Sequence, residues 1–438
     1  MKDTLLRLTI ASALLAPVLA AAAEAPAAWS LRRAVAEARE ASPDAAVARG
    51  RLEAAEALGR QAGAAWWPHL ALHGGYLQTD QPMQAFGTIL NTGVFNPAID
   101  FNRPGQVDHL FLAATVSYPI YQGGAATAAR SAARAGERAA RADQEAISQQ
   151  LAFAAVRAWH GILQARSMVA ALDSAASALD ESLRVASARF ERGQLLKNEL
   201  LDIEVQLAQT RSQLLAARQH ENLAGKSFQV LLGQAPTGAV VLDTSDADSL
   251  LAPPPSVSVD ARPELAAMRA RIEAAEAMTQ AARAGRQPAV DAFASYQYDK
   301  GWRLRGDGDN WTAGVRVNWA VFDGHLSSGR LREANAQLAV ARAEARRLSL
   351  DLQLQLASAR LAHELARSQL EVTARQVEQA AESAAISRAR FESGDLLSAE
   401  LIGAETRLME ARMRRSMAAT SERVAAAELR RAAGLPLF

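Results

Sequence analysis

Cysteine is absent from the 438 residues. That excludes disulfides, thiol chemistry, cysteine-bound metal and a lipid anchor on an N-terminal cysteine. A basic excess is also missing: the formal charge is +1, so nothing favours a nucleic-acid partner. Aromatic residues make up only 5% of the chain, too few for a thick globular core of the usual kind. Beyond the N-terminus no stretch offers 18 apolar, uncharged residues, which excludes helical membrane spans. Gly-x-Ser-x-Gly, a P-loop and a dinucleotide fingerprint are all missing, so the chain carries no enzyme signature and no cofactor is expected. Gly123-Gly124 lacks the lysine and further glycines of a phosphate loop and reads as a tight bend. His69 and His73 lie four apart, but in a strand pattern beside Pro68. A His-x-x-x-His metal site needs a helix and a third ligand, so no metal site is expected.

What the chain does have is alanine, within an apolar fraction of 50%. Alanine has the best helix propensity and lets helices pack closely. Residues 1–23 read as a secretory signal: Lys2 and Arg7, an apolar stretch from Leu8 to Leu19, and Ala21-Ala22-Ala23 before Glu24. A secreted chain without helical spans is periplasmic, released, or a β-barrel in an outer membrane.

Proline punctuates the rest. None occurs from Ile120 to Ala235 or from Ala289 to Leu435, as long helices require. Between these tracts, 236–260 reads as a linker or equatorial excursion rich in proline and aspartate. It separates two repeats, 24–235 and 261–438. The run from Ala41 to Ala57 matches that from Ala261 to Ala277 at an offset of 220, and Pro68 meets Pro288 at the same offset. The run from Arg189 to Leu200 (Arg-Phe-Glu-Arg-Gly-Gln-Leu-Leu) matches that from Arg390 to Leu401 (Arg-Phe-Glu-Ser-Gly-Asp-Leu-Leu) at an offset of 201. Order and punctuation repeat as well as composition, so the chain is internally duplicated. The first repeat holds about 19 more residues between the matches, placed in the polar Gly/Pro/Asn-rich stretch 80–106.

Each repeat then has one plan: a helix (30–65; 261–286), two strands (67–79 and 110–121; 289–299 and 311–322), a very long helix (125–190; 326–391), a glycine interruption, and a final helix (to 231; to 432). The strands rest on period-two alternation. Leu70, Leu72 and Tyr76 alternate with His69 and His73; Val116, Tyr118 and Ile120 with Thr115 and Ser117; Val315, Val317, Trp319 and Val321 with Arg316 and Asn318. Tryptophan and tyrosine crowd these same segments, as in the aromatic girdles of membrane barrels. The long helices would each span about 100 Å. Four strands cannot close a barrel, and an open edge in lipid leaves backbone groups unsatisfied. Self-association is therefore implied, and three subunits would supply twelve strands, an even number in the range of known barrels.

The doubled plan, Tyr118-Pro-Ile-Tyr-Gln-Gly-Gly124 at a strand-to-helix junction, Val321-Phe-Asp-Gly324 at its counterpart, and the paired Arg-Phe-x-x-Gly-x-Leu-Leu turns resemble the TolC-type outer-membrane efflux proteins. The resemblance implies a homotrimer in which a twelve-stranded β-barrel in the outer-membrane lipid continues into a twelve-helix periplasmic α-barrel. It further implies a passive duct of a tripartite efflux or type I secretion system, fed by an inner-membrane pump or ABC transporter through a periplasmic adaptor protein. On that pattern Pro119, Gly123, Gly124 and Gly324 make the strand–helix junctions. Arg189, Gly193, Leu195, Leu196, Arg390, Gly394, Leu396 and Leu397 lie at the periplasmic tips, the leucines as adaptor contacts or as helix packing. Glu400 matches an acidic residue of the family's periplasmic aperture. The next acidic position falls on Gly403, which departs from the pattern; Glu199 and Asp202 hold the two spacings in the first repeat. The competing reading is a non-channel periplasmic coiled-coil adaptor or scaffold, which would carry two antiparallel helices on a β-rich domain without duplicated strand pairs.

Overall fold

The computed structural model describes residues 28–100, 102–247, 249 and 258–438. The expected signal segment and most of the proline-rich part of the linker lie outside these residues. The described chain is mainly helical, with one four-stranded sheet.

The first helical stretch is two helices, α1 (Leu31–Ala41) and α2 (Pro43–Gly63). A single helix over 30–65 is not what forms. Pro43 lacks an N–H and so starts a helix rather than continuing one, which breaks the run at Ser42. Strand β1 (His69–Thr79) follows, then α3 (Pro82–Asn91), β2 (Val107–Gln122), the long α4 (Ala125–Glu191) and α5 (Lys197–Leu231). The second repeat runs α6 (Pro263–Ala284), β3 (Ala289–Gly301), β4 (Gly306–Asn318), α7 (Leu326–Ser393) and α8 (Ser398–Ala432). Helix α3 stands in the stretch read as loop from its polar composition. The fourth strand also differs: the pattern puts it at 311–322, whereas it occupies Gly306–Asn318 and leaves Trp319, Val321 and Phe322 beyond it. The Gly-Asp-Gly-Asp-Asn run at 306–310 has poor strand propensity, and ladder pairing from Gly301↔Gly306 to Gln297↔Asn310 overrides it.

The sheet is antiparallel throughout in the order β1-β2-β3-β4. Its register sorts most of the side chains by polarity. One row set reads Leu70↔Val116↔Ala294↔Ala313 and Leu72↔Ala114↔Tyr296↔Trp311, with Leu112, Tyr118, Val290, Val315 and Val317 on the same face. The other reads Ala71↔Thr115↔Ser295↔Thr312 and His73↔Ala113↔Gln297↔Asn310, with Ser117, Asp299 and Arg316. One face is thus apolar and largely exposed, and the other is predominantly polar. β1 and β4 are both edges.

Below the sheet the helices pack lengthwise. The buried residues of α4 are mostly alanines spaced three and four apart, so neighbouring helices approach closely. The largest core cluster sits halfway along α4. There Val156, Trp159 and Ile162 pack on Leu31 and Val35 of α1 and on Phe228 and Leu232 at the end of α5. The linker segment is fastened to the same place. Trp29 N–H donates to Val241 O (2.8 Å), Trp159 Nε1 donates to Trp29 O (2.9 Å), and the Asp246 carboxylate accepts the N–H groups of Leu31 and Arg32 at the start of α1 (2.8 Å each). That supplies the exposed N–H groups of a helix start with an acceptor.

Candidate functional site

The two helix-to-helix turns use the same chemistry. Gly193 (φ +72°) and Gly394 (φ +92°) adopt the left-handed conformation, which would cost another residue about 1–2 kcal/mol. Gln194 N–H then donates to Arg189 O at 2.9 Å, and Asp395 N–H to Arg390 O at 2.8 Å. These bonds close the final turn of α4 and of α7.

The arginines differ. Arg189 donates through Nη1 to Phe391 O of the other repeat (2.9 Å) and through Nη2 to Gln194 O (3.3 Å), with its guanidinium 5.4 Å from the Phe391 ring centroid. Arg390 donates to Asp395 O within its own turn (3.3 Å). Arg189 thus ties the two turns together and Arg390 does not. The leucine pairs divide in the same spirit. Leu195 and Leu396 pack with Ala186, Ile203, Phe391 and Leu401 in a cluster shared by both repeats. Leu196 and Leu397 are 66% and 61% exposed.

The acidic candidates stand just past the turns. Glu199 accepts the Leu196 N–H at 3.2 Å in the first turn of α5, where the helix dipole favours a carboxylate. Asp202 is exposed one turn on, and Glu400 is exposed in the first turn of α8. At Gly403 an added Cβ would lie 3.4 Å from Arg407 Nη1. The face carrying Glu400 therefore continues to a guanidinium instead of a second carboxylate. Arg407 was not among the sequence candidates, although its spacing of seven from Glu400 puts it on that face.

A second group the sequence did not reveal is Glu405, buried in α8. Arg388 Nε of α7 lies 2.7 Å from its Oε1. Burial pushes the Glu405 carboxyl up, and the charges of Arg388 and Arg412 offset this only in part. At the offset of 201 the counterparts are Ser187 and Glu204, so the pair belongs to the second repeat alone.

At the other end of the helices the strands turn into α4 and α7. Pairing of β2 with β3 shifts between Pro119 and Tyr121, where proline has no N–H to give the ladder. Gly123 (φ +62°) and Gly124 (φ +90°) then bend the chain, and an added Cβ at Gly123 would fall 2.6 Å from Gln287 Cβ and 2.7 Å from Ala284 O. In the second repeat Gly324 (φ +63°) is followed by His325 (φ +71°), a left-handed residue that is not glycine. Beside it the Asp323 carboxylate accepts the Ser327 hydroxyl and, at 2.8 Å, the Ser327 N–H; these bonds hold it below the usual range. The duplication identified Gly324 but not the strained His325.

Among the described residues no group of three or more His, Asp or Glu is arranged to hold a metal, and no helix is long and apolar enough to cross a membrane. A groove of about 730 Å³ lies between α4 and α8, away from the turns, and is lined by Arg412, Arg415 and Arg423 with Ser167, Ser174 and Ser416.

Residues 34–234 and 255–435 match the family described as Outer membrane efflux protein, in two segments that follow the duplication. Outer membrane efflux protein BepC of Brucella suis biovar 1 (strain 1330) is 26% identical over 202 residues, which span 45% of this chain and 44% of that protein. The fold is similar to that of the outer membrane protein VceC from Vibrio cholerae (TM-score 0.77, 20% identity, 93% of this chain and 97% of that one). It is similar also to CusC (TM-score 0.80, 16% identity, 94% and 93%). With the family matched over most of its length, the chain belongs to the outer membrane efflux protein family of non-enzymatic channels, whose place is the cell outer membrane.

Proposed function

We propose that the protein is the outer-membrane duct of a tripartite efflux or type I secretion system, active as a homotrimer. The observation that carries this reading is the four-stranded sheet with one apolar face, one polar face and two unpaired edges. In lipid each unsatisfied backbone group costs several kcal/mol. Pairing β4 of one subunit with β1 of the next removes both edges, and three subunits make a closed twelve-stranded barrel with the apolar face outward and the polar face lining water. Helices α4, α5, α7 and α8 of three subunits would make the twelve-helix tunnel reaching into the periplasm. Passage through it is passive, and the inner-membrane pump or ABC transporter supplies the energy. The exposed Leu196 and Leu397 at the tips are suited to an adaptor protein. The rival adaptor reading has no use for a duplicated, two-faced sheet.

Glu400 is the aperture candidate we favour, since symmetry would place three like carboxylates around the axis and attract cations. Purified from membranes in detergent, the protein is expected to run as a trimer and to conduct ions across planar bilayers with a cation preference. Glu400→Gln should weaken that preference. Gly403→Asp should leave it nearly unchanged, because the new carboxylate would meet Arg407. A soluble monomer without conductance overturns the duct; unaltered selectivity in Glu400→Gln overturns only the aperture.

A further inference from the structure

The stretch that distinguishes the first repeat from the second does not hang outside the sheet. We infer that Gln81–Asp100, built around α3, folds inward over the polar face of the sheet, and that three copies meet to constrict the outer mouth of the barrel. This rests on the trimeric duct proposed above.

The direction of folding follows from two glycines. Gly306 and Gly308 alternate in β4 with Asp307 and Asp309 and share a face with Asn310, Thr312 and Arg316, the polar one. A Cβ on Gly308 would lie 2.2 Å from Asn91 O, and one on Gly306 2.4 Å from Val94 Cγ1 and 2.6 Å from Thr92 O. The end of α3 therefore rests directly on the polar face, and it can do so only because β4 has no side chains there. Val107, on the same face of β2, is buried against Ala85 and Ile89 of α3. Asp299 lies on that face too, fully buried, and accepts from His109 Nε2 (2.5 Å), Gln297 Nε2 (2.8 Å) and Asn310 Nδ2 (2.9 Å).

With Ala85 and Ile89 turned to the sheet, the opposite stripe of α3 carries Met83, Gly87 and Leu90 and points toward the barrel axis. Met83 is 78% exposed. No residue from Gln81 to Ile99 is charged, so three copies can approach one another without repulsion. A polar lumen alone would not call for an apolar stripe in water, whereas a second copy would cover it. The dimensions agree. A twelve-stranded barrel is about 24 Å across between backbones at the usual spacing and tilt. Three helices, each about 10 Å wide with side chains, span about 22 Å.

The chain has no cysteine, so single substitutions report proximity directly. Met83→Cys and Leu90→Cys, oxidised in outer-membrane vesicles, are expected to give covalent dimers from at most about two thirds of the subunits, one bond per trimer. Trp311→Cys, on the apolar face of the same sheet, is expected to give none. Gly308→Val should dislodge α3 and raise single-channel conductance by at least about twofold. Conductance in the parent protein, with no cross-link at either α3 position, overturns the inward constriction and leaves the duct standing. A parent protein that neither conducts nor forms trimers overturns the duct itself.

Discussion

Arg189 is the side chain on which the coupling of the two tips depends, and its removal gives the sharpest test. Arg189→Ala deletes a bond to Phe391 O, a bond to Gln194 O and a guanidinium–ring contact. A hydrogen bond from a charged donor contributes about 1.5–3 kcal/mol, and an exposed cation–π contact about 0.5–1 kcal/mol. With the 2.9 Å bond and the ring contact each at the low end, and the long 3.3 Å bond of this half-exposed group adding little, the whole comes to about 2 kcal/mol. Arg390→Ala removes a single exposed bond of 3.3 Å within one turn, so about 0.5–1 kcal/mol is expected there. The loss is local, and hydrogen exchange reads it better than global unfolding. At 1.4 kcal/mol per tenfold, backbone amides of 190–196 and 391–397 should exchange about 30-fold faster in Arg189→Ala, in both repeats together. Arg390→Ala should accelerate only its own turn, by about fivefold or less. Equal effects from the two substitutions, or an Arg189→Ala effect confined to the first repeat, would refute the idea that one arginine ties the tips.

The junction and the buried acid give two further expectations. Gly123→Ala would combine a left-handed conformation with a Cβ 2.6 Å from Gln287, so it should cost more than about 2 kcal/mol and reduce recovery of the detergent-stable trimer proposed above. Gly124→Ala, where an added Cβ meets open space, should cost only the conformational part, and gel mobility of unheated samples would separate the two. Glu405 has a raised pKa, so the folded state binds its proton more tightly than the unfolded one does. Its contribution is greatest at acid pH and is lost as the pH rises through that raised value. Thermal melts should therefore show Glu405→Gln gaining on the parent as the pH rises from acid toward neutral. Arg388→Ala should lose about 1–3 kcal/mol more at pH 7 than at acid pH. Glu264 has the opposite slope: burial alone would raise it, but Arg262 and Arg431 outweigh burial and hold it down. A parallel melt of Glu264→Gln serves as the internal control.

Long-range periodicity and duplication decided much of this protein in advance. Proline-free tracts and alanine spacing specify α4 and α7, since propensity summed over dozens of residues overwhelms local noise. The paired Arg-Phe-x-x-Gly-x-Leu-Leu runs likewise marked the two helix-to-helix turns, because a glycine after a helical run has one common use. Tertiary structure decided whatever depended on which residues meet. Ladder pairing drew Gly306–Asn310 into β4 against their propensity, and packing on the sheet made a helix of Pro82–Asn91 inside a stretch that reads as loop. The two leucines of each tip look alike in sequence, but only Leu195 and Leu396 find the other repeat. Arg189 and Arg390 occupy matching positions in the duplication, and Arg189 alone reaches across because Phe391 O stands beside it. A repeated sequence supplies equivalent side chains, but each contact is set by the surroundings, and those differ between the two halves of the chain.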